Sequence, residues 1–190
     1  METFEKDLAE CLKVLEKGGL ILYPTDTIWG IGCDATNRSA VARVNYLKAR
    51  EPGKSLIILV AEFSQIEKYV QEIPPQIRDY VLQASGPLTV IYEGARNLPV
   101  NLIAADGSIA IRLVRDPFCE ALVLGMGKPI VSTSANPSGK STPSDFSDIR
   151  PEIIRGVDYR VCYRRGQTGQ SRPSTMVRFD PSGTLQVIRP

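Results

Sequence analysis

Three short segments gather most of the side chains capable of chemistry: YPTDTIWGIG (23–32), KAREPGKS (48–55) and STSANPSG (132–139). Each follows or joins an apolar run and mixes glycine or proline with small hydroxyls or cations. Loops of this kind present backbone N–H groups, hydroxyls and cationic heads, the donors that a phosphorylated ligand requires. Lys48, Arg50 and Lys54 place three cations within seven residues. Taken alone, they fit favourable charge at a helix C-terminus followed by a solvated loop. Held by a Pro-Gly turn ahead of an apolar strand, they also suit a phosphate chain, with arginine as a fork and lysine as a point charge. Ser132, Thr133, Ser134 and Asn136 leave the apolar run PIV, at the strand end where open α/β sheets bind ligands. A polar turn through Asn136, Pro137, Ser138 and Gly139 explains the same residues without a ligand. Thr25 and Thr27 flank Asp26, either as an Asx or ST turn or as hydroxyls offered to a small polar ligand. Trp29 reads as core or pocket wall.

The composition removes several alternatives. The chain contains no histidine, which excludes a Ser-His-Asp triad, Cys-His chemistry and histidine-based metal centres. Catalysis then falls to lysine, arginine, carboxylates, hydroxyls, backbone dipoles or a hard metal held by carboxylate or phosphate. Neither a GxGxxG fingerprint nor a GxxxxGK[ST] loop is present. The four cysteines are scattered with no CxxC pair, which fits a reducing compartment. A formal net charge of +2 does not indicate a general polyanion-binding surface. Arg155, Arg160, Arg164, Arg165, Arg172 and Arg178 read as a solvated basic face, since the aromatic interleaving of a single-strand binder is lacking. The amino end is charged and helical in period, and no run of about 18 apolar residues occurs. A cytoplasmic protein with no membrane association is expected.

The elements that must position these residues alternate along the chain. Apolar residues make up 43% of 190, enough for a real core in one domain, taken as residues 1–190. Phe4, Leu8, Cys11, Leu12 and Leu15 fall at helical spacing, and Gly18 and Gly19 stop that helix. GLILYP reads as a buried strand. A helix follows from Ser39, a plausible cap, to Ala49, with Val41, Val44 and Leu47 inward. SLIILV suits a central strand. FSQIEKYV and 75–84 read as helices, and LTVIYEG and SIAIRLV as strands. Asp116 and Pro117 open a helix to about Met126, and PIVSTS is the next strand. Beyond Ser144 the helical signal thins; DYRVCYRR, STMVRF and TLQVIRP read as strands, the last two joined by a DPSG turn. The loop GQTGQSRPS (166–174) is a lid or a loose connection. The expected fold class is α/β (α+β): a twisted mixed sheet flanked by helices around a concave basic pocket.

Taken together, the motifs resemble the YrdC-type threonylcarbamoyl-AMP synthases over nearly the whole length. The family's PT-[DE]-T-x-x-G-[LI]-G loop is similar to Pro24–Gly32 here, its K-x-R motif to Lys48-Ala49-Arg50, and a further lysine position to Lys54. GPLT stands at 86–89, the strand arginine is Arg112, and the S-x-N motif is Ser134-Ala135-Asn136. The late S-T-x-V element matches Ser174 to Val177, and the closing VIRP is 187–190. The resemblance implies a reaction of L-threonine, bicarbonate and ATP, with Mg²⁺, that yields threonylcarbamoyl-AMP and pyrophosphate for a separate tRNA-modifying threonylcarbamoyl transferase. It assigns Lys48, Arg50 and Lys54 to the triphosphate, with Lys48 and Arg50 catalytic. Ser134, Asn136, Thr142 and Arg189 go to the nucleotide. Thr25, Arg112, Thr133 and Ser174 go to threonine, with Arg112 facing its carboxylate, and no protein-held metal is implied. Three positions depart from the family pattern: Ser55 for proline, Leu59 for histidine and Arg178 for aspartate. A module that binds tRNA or double-stranded RNA without forming an adenylate is the competing reading. A carbamoyl-transfer accessory domain of the hydrogenase-maturation type is a third.

Overall fold

The computed structural model describes residues 3–50, 56–167, 172–180 and 183–190. The chain opens with α1 (Glu5–Glu16), which buries Cys11 and Leu15. Gly18, in the left-handed region at φ 74°, turns it into β1 (Ile21–Tyr23). Residues 24–29 then loop into β2 (Gly30–Gly32), antiparallel to β1. β2 lies inside the YPTDTIWGIG segment, whose glycines hide a strand from propensity reasoning. Those glycines are spatially required: a Cβ on Gly32 would lie 2.7 Å from the Tyr23 ring.

Helix α2 (Arg38–Leu47) follows. Its cap is Asn37, whose side chain accepts from the Ser39 and Ala40 amides, so the expected cap at Ser39 is two residues late. Val41 and Val44 point inward as the spacing requires. β3 (Ile57–Val60) emerges in the sheet centre, followed by the short α3 (Phe63–Ile66), α4 (Pro75–Gln83), β4 (Leu88–Tyr92) and β5 (Ile109–Leu113). α5 (Pro117–Met126) starts at Asp116, which accepts from the Phe118 and Cys119 amides, and stops at left-handed Gly127. β6 (Ile130–Ser134) comes next. The stretch beyond Ser144, where a helical signal is weak, holds a 3-10 turn (Phe146–Asp148), opened by an Asp145–Asp148 capping box, and α6 (Pro151–Gly156), started by Pro151 rather than by a long apolar stripe. β7 covers only Tyr159–Arg160 of DYRVCYRR. The Asp7 carboxylate explains why: it accepts from the Tyr159 hydroxyl and from the Cys162 and Tyr163 amides, diverting the chain from a ladder. β8 (Thr175–Phe179) and β9 (Leu185–Arg189) pair antiparallel as expected, with part of their DPSG turn outside the described residues.

The nine strands form one mixed sheet in the order β7-β1-β2-β6-β3-β5-β4-β8-β9. α1 and α5 pack together and onto it, with Phe118, Cys119, Leu122 and Val123 at the contact. Each such buried apolar side chain contributes about 1.5–3 kcal/mol of transfer free energy. The fold class therefore agrees with the sequence expectation. β6 has a special place: Ile130 to Ser132 pair with β3, while Thr133 and Ser134 pair with β2. Its end is where the two halves of the sheet join, and there the third sequence motif begins. No helix among the described residues is long and apolar enough to cross a membrane.

Candidate functional site

Register builds the site. Ile130, Leu59, Arg112, Thr89, Met176 and Arg189 stand side by side across β6, β3, β5, β4, β8 and β9. Neighbours in register share a face of the sheet, so six strands from distant parts of the chain aim one row of side chains the same way. A cavity of about 220 Å³ opens over that face. Arg50, Arg112 and Arg189 are its cations, and hydroxyl residues Thr27, Ser134, Thr142 and Ser174 join them on the wall. No carboxylate lines it among the described residues.

One set of donors is tied together by hydrogen bonds. Arg112 is 3% exposed. It donates to Thr27 Oγ1 at 2.9 Å and pairs with Asp26 at 3.3 Å, while its buried Nε has no protein partner. Thr25 Oγ1 donates to the Ile28 carbonyl and accepts from the Thr27 and Ile28 amides. With that proton committed, the 2.8 Å contact between the two threonine hydroxyls is donated by Thr27. Thr25 is thus spent inside its own loop, and Thr27 is the residue that reaches the cavity. Beside them, Ser174 Oγ contacts Thr89 Oγ1 at 2.7 Å, and Arg189 clasps the Ser174 carbonyl through Nε at 3.1 Å and Nη2 at 2.9 Å. Burial and the nearby Arg112 charge lower the Arg189 pKa, and burial lowers that of Arg50. Arginine stays charged through such shifts, so the cavity concentrates positive charge.

The second set lies around the end of β6. α2 ends at Lys48, and Ala49 adopts a left-handed conformation at φ 46°, a conformation that costs a residue with a Cβ roughly 1 kcal/mol. That turn sends Arg50 to the cavity wall. Lys48, by contrast, is 2% exposed and does not line the cavity. Its ammonium donates to the Ser134 and Asn136 carbonyls. Asn136 is also off the wall: its amide donates to the Pro137 and Lys140 carbonyls, folding the loop that carries Thr142, and its buried Oδ1 has no partner.

Of the residues singled out in the sequence, the cavity therefore gathers Arg50, Arg112, Thr133, Ser134, Thr142, Ser174 and Arg189. Thr25, Lys48 and Asn136 stand behind its wall. Lys54 lies outside the described residues, as do Ser55 and part of the 166–174 loop. Thr27 and Ser132 are wall residues that motif matching did not select. Alternation along β6 relates Ser132 to Ser134, and Thr27 repeats the hydroxyl of Thr25 two residues on. Leu59 is buried beside Arg112, and Arg178 pairs with Glu93 and Asp106 away from the cavity. Trp29 is buried in the core against Phe146 and does not line the cavity. No group of three or more His, Cys, Asp or Glu among the described residues could hold a metal.

A mixed α/β sheet with a cationic, hydroxyl-lined cavity over its central strands defines a class of protein whose pocket is complementary in charge to anionic small molecules. The comparisons narrow the class. The Sua5/YciO/YrdC family model, described as telomere recombination, matches residues 13–190, and the chain belongs to that family. It is 34% identical over 171 residues to a threonylcarbamoyl-AMP synthase of Halorhodospira halophila, covering 89% of this chain and 87% of the relative. It is 33% identical over 192 residues to a putative threonylcarbamoyl-AMP synthase of Methanocaldococcus jannaschii, covering 98% and 88%. The fold superposes on E. coli YciO with a TM-score of 0.84 and 25% identity, over 99% of this chain and 90% of that one. P. abyssi Sua5 complexed with L-threonine has the same fold at a TM-score of 0.87 and 23% identity; this chain spans 55% of its length.

Proposed function

We propose that this chain is an L-threonylcarbamoyladenylate synthase, a nucleotidyltransferase that forms threonylcarbamoyl-AMP from L-threonine, bicarbonate and ATP. The observation that carries this reading is the cavity flanked by Arg50, Arg112 and Arg189, with no carboxylate on its wall among the described residues. Two anions must meet there, a carbamate and a triphosphate, and fixed guanidinium groups offset their repulsion. The threonine amine condenses with bicarbonate, releasing water and leaving a carbamate. A carbamate oxygen bonds to the α-phosphorus as the bond to the bridging oxygen breaks, and pyrophosphate departs. Positioning and electrostatics suffice for such a transfer, which fits a chain without histidine.

Arg112 is the partner for the threonine carboxylate, with its unpaired Nε and the neighbouring Thr27 and Ser174 beside it. Arg50, Ser134, Thr142 and Arg189 take the nucleotide, and Lys54 follows Arg50 in sequence as a further phosphate cation. Mg²⁺ enters as part of the substrate, carried on the ATP phosphates, since the cavity wall offers it no acid side chain among the described residues. The whole of 1–190 acts as one unit in the cytoplasm and hands its product to a tRNA-modifying transferase. Family membership and the site's small-molecule scale favour this reading over a dedicated RNA module.

The test is direct. Purified protein is incubated with ATP, Mg²⁺ and bicarbonate, and pyrophosphate release is followed with and without L-threonine. Release that depends on threonine is expected; threonine-independent release, or none, rejects the assignment.

A further inference from the structure

Lys48 makes contacts that a phosphate ligand has no reason to make. It is the residue after the last turn of α2, and two parts of it hold one short segment. Its ammonium donates to the Ser134 carbonyl at 2.5 Å and to the Asn136 carbonyl at 2.5 Å. Its own carbonyl accepts from the Ser138 amide at 2.7 Å. Three hydrogen bonds therefore join a single residue to 134–138, the turn that carries the S-x-N motif. At 2% exposure the side chain is spent within the protein, whereas Arg50, two residues on, lies on the cavity wall.

We propose that Lys48 is a positioning residue: it clamps the turn 134–138 so that Ser134 and Thr142 face the cavity, and it does not ligate the nucleotide. The Asn136 carbonyl is a buried acceptor that needs a donor, the half-buried Ser134 carbonyl also accepts from the Asn136 amide, and a four-carbon stem reaches both from the end of α2. What the clamp uses is the N–H count rather than the charge. Burial and the nearby Arg50 lower the Lys48 pKa to about 7, and a neutral amine still carries two N–H groups, one for each carbonyl. A phosphate ligand would depend on the charge itself.

The clamp is read first without any nucleotide. In the wild-type protein the Ser138 amide is protected from hydrogen exchange. In Lys48→Met it exchanges at least about tenfold faster, and Lys48→Gln, which keeps an NH₂ donor without the charge, falls between the two. ATP affinity, measured by calorimetry, supplies the readout that loss of general stability would not move. Lys48→Met weakens ATP by about tenfold or more, Lys48→Gln recovers part of that loss, and adding Ser134→Ala to Lys48→Met costs less than about threefold more. If Lys48→Met does not fold, Lys48→Gln carries the exchange and coupling measurements. The proposal is overturned by an unprotected wild-type Ser138 amide, by unchanged exchange in the variants, by equal losses in Met and Gln, or by full multiplication with Ser134→Ala. The affinity arm rests on the proposed ATP chemistry, but the exchange arm does not. A wild-type protein that binds no ATP therefore rejects the function and leaves the clamp to be decided by exchange alone.

Discussion

The cavity of about 220 Å³ over the central strands and a hollow of about 500 Å³ beside α4 invite opposite ligands. Among the described residues, the smaller one sets Arg50, Arg112 and Arg189 around its wall with no acid. The larger, among the same residues, has Glu72, Glu93 and Asp180 on its wall and no cation. Volume alone would select the acidic hollow, yet a polyphosphate meets repulsion there and attraction in the other. The sign of fixed charge, rather than size, locates the site in this molecule. The cations of the small cavity are also placed by the sheet itself: Arg112 and Arg189 belong to one register row. In the hollow, Glu93 comes from the chain just past β4 and is paired with Arg178.

That contrast can be broken at several points. The largest effect is expected for Arg50→Ala, which removes a half-buried cation from the wall: threonine-dependent pyrophosphate release, measured on folded protein, should fall by about 10²–10³-fold. Arg112→Lys keeps the charge but loses the fork that serves Thr27, Asp26 and a carboxylate together. Its KM for threonine should rise by about 10–100-fold, more than its KM for ATP, in steady-state kinetics. Thr27→Val deletes the hydroxyl that accepts a charge-assisted hydrogen bond from Arg112 and should raise the threonine KM by about tenfold. A matching loss in Thr25→Val without any fall in stability would contradict the division of roles between the two threonines. At the small end, Glu72→Gln in the acidic hollow should change ATP affinity by less than about twofold in calorimetry. A tenfold change there would mean that the two regions are not electrostatically separate.

Much of this was legible in the chain, and the misses have physical causes. α1, α5 and β3 follow from apolar spacing, the Asp116 cap and an unbroken apolar run, all of them local signals. β2 was hidden because glycines have low strand propensity, while the packing of Tyr23 demands them. β7 is cut short by Asp7, a buried carboxylate more than 150 residues away in sequence. The site divides along the same line. Arg50, Arg112, Ser134, Thr142, Ser174 and Arg189 could be named by motif, and the structure brings them to one wall. Lys48 and Asn136 belong to the same motifs but turn inward to backbone carbonyls. Residue type does not reveal that difference, because a lysine bound to carbonyls and one on a cavity wall read alike.

Local patterning was enough to say that this chain makes a mixed α/β fold without histidine chemistry and carries cations and hydroxyls of the kind a phosphorylated ligand requires. Strand register and the closing of α2 onto the end of β6 settled the rest: which arginines face one another, which threonine remains available, and that one lysine holds the wall from behind. Propensity and spacing act over a few residues, whereas these outcomes depend on pairings between segments 50 to 150 residues apart, which exist only once the sheet has formed.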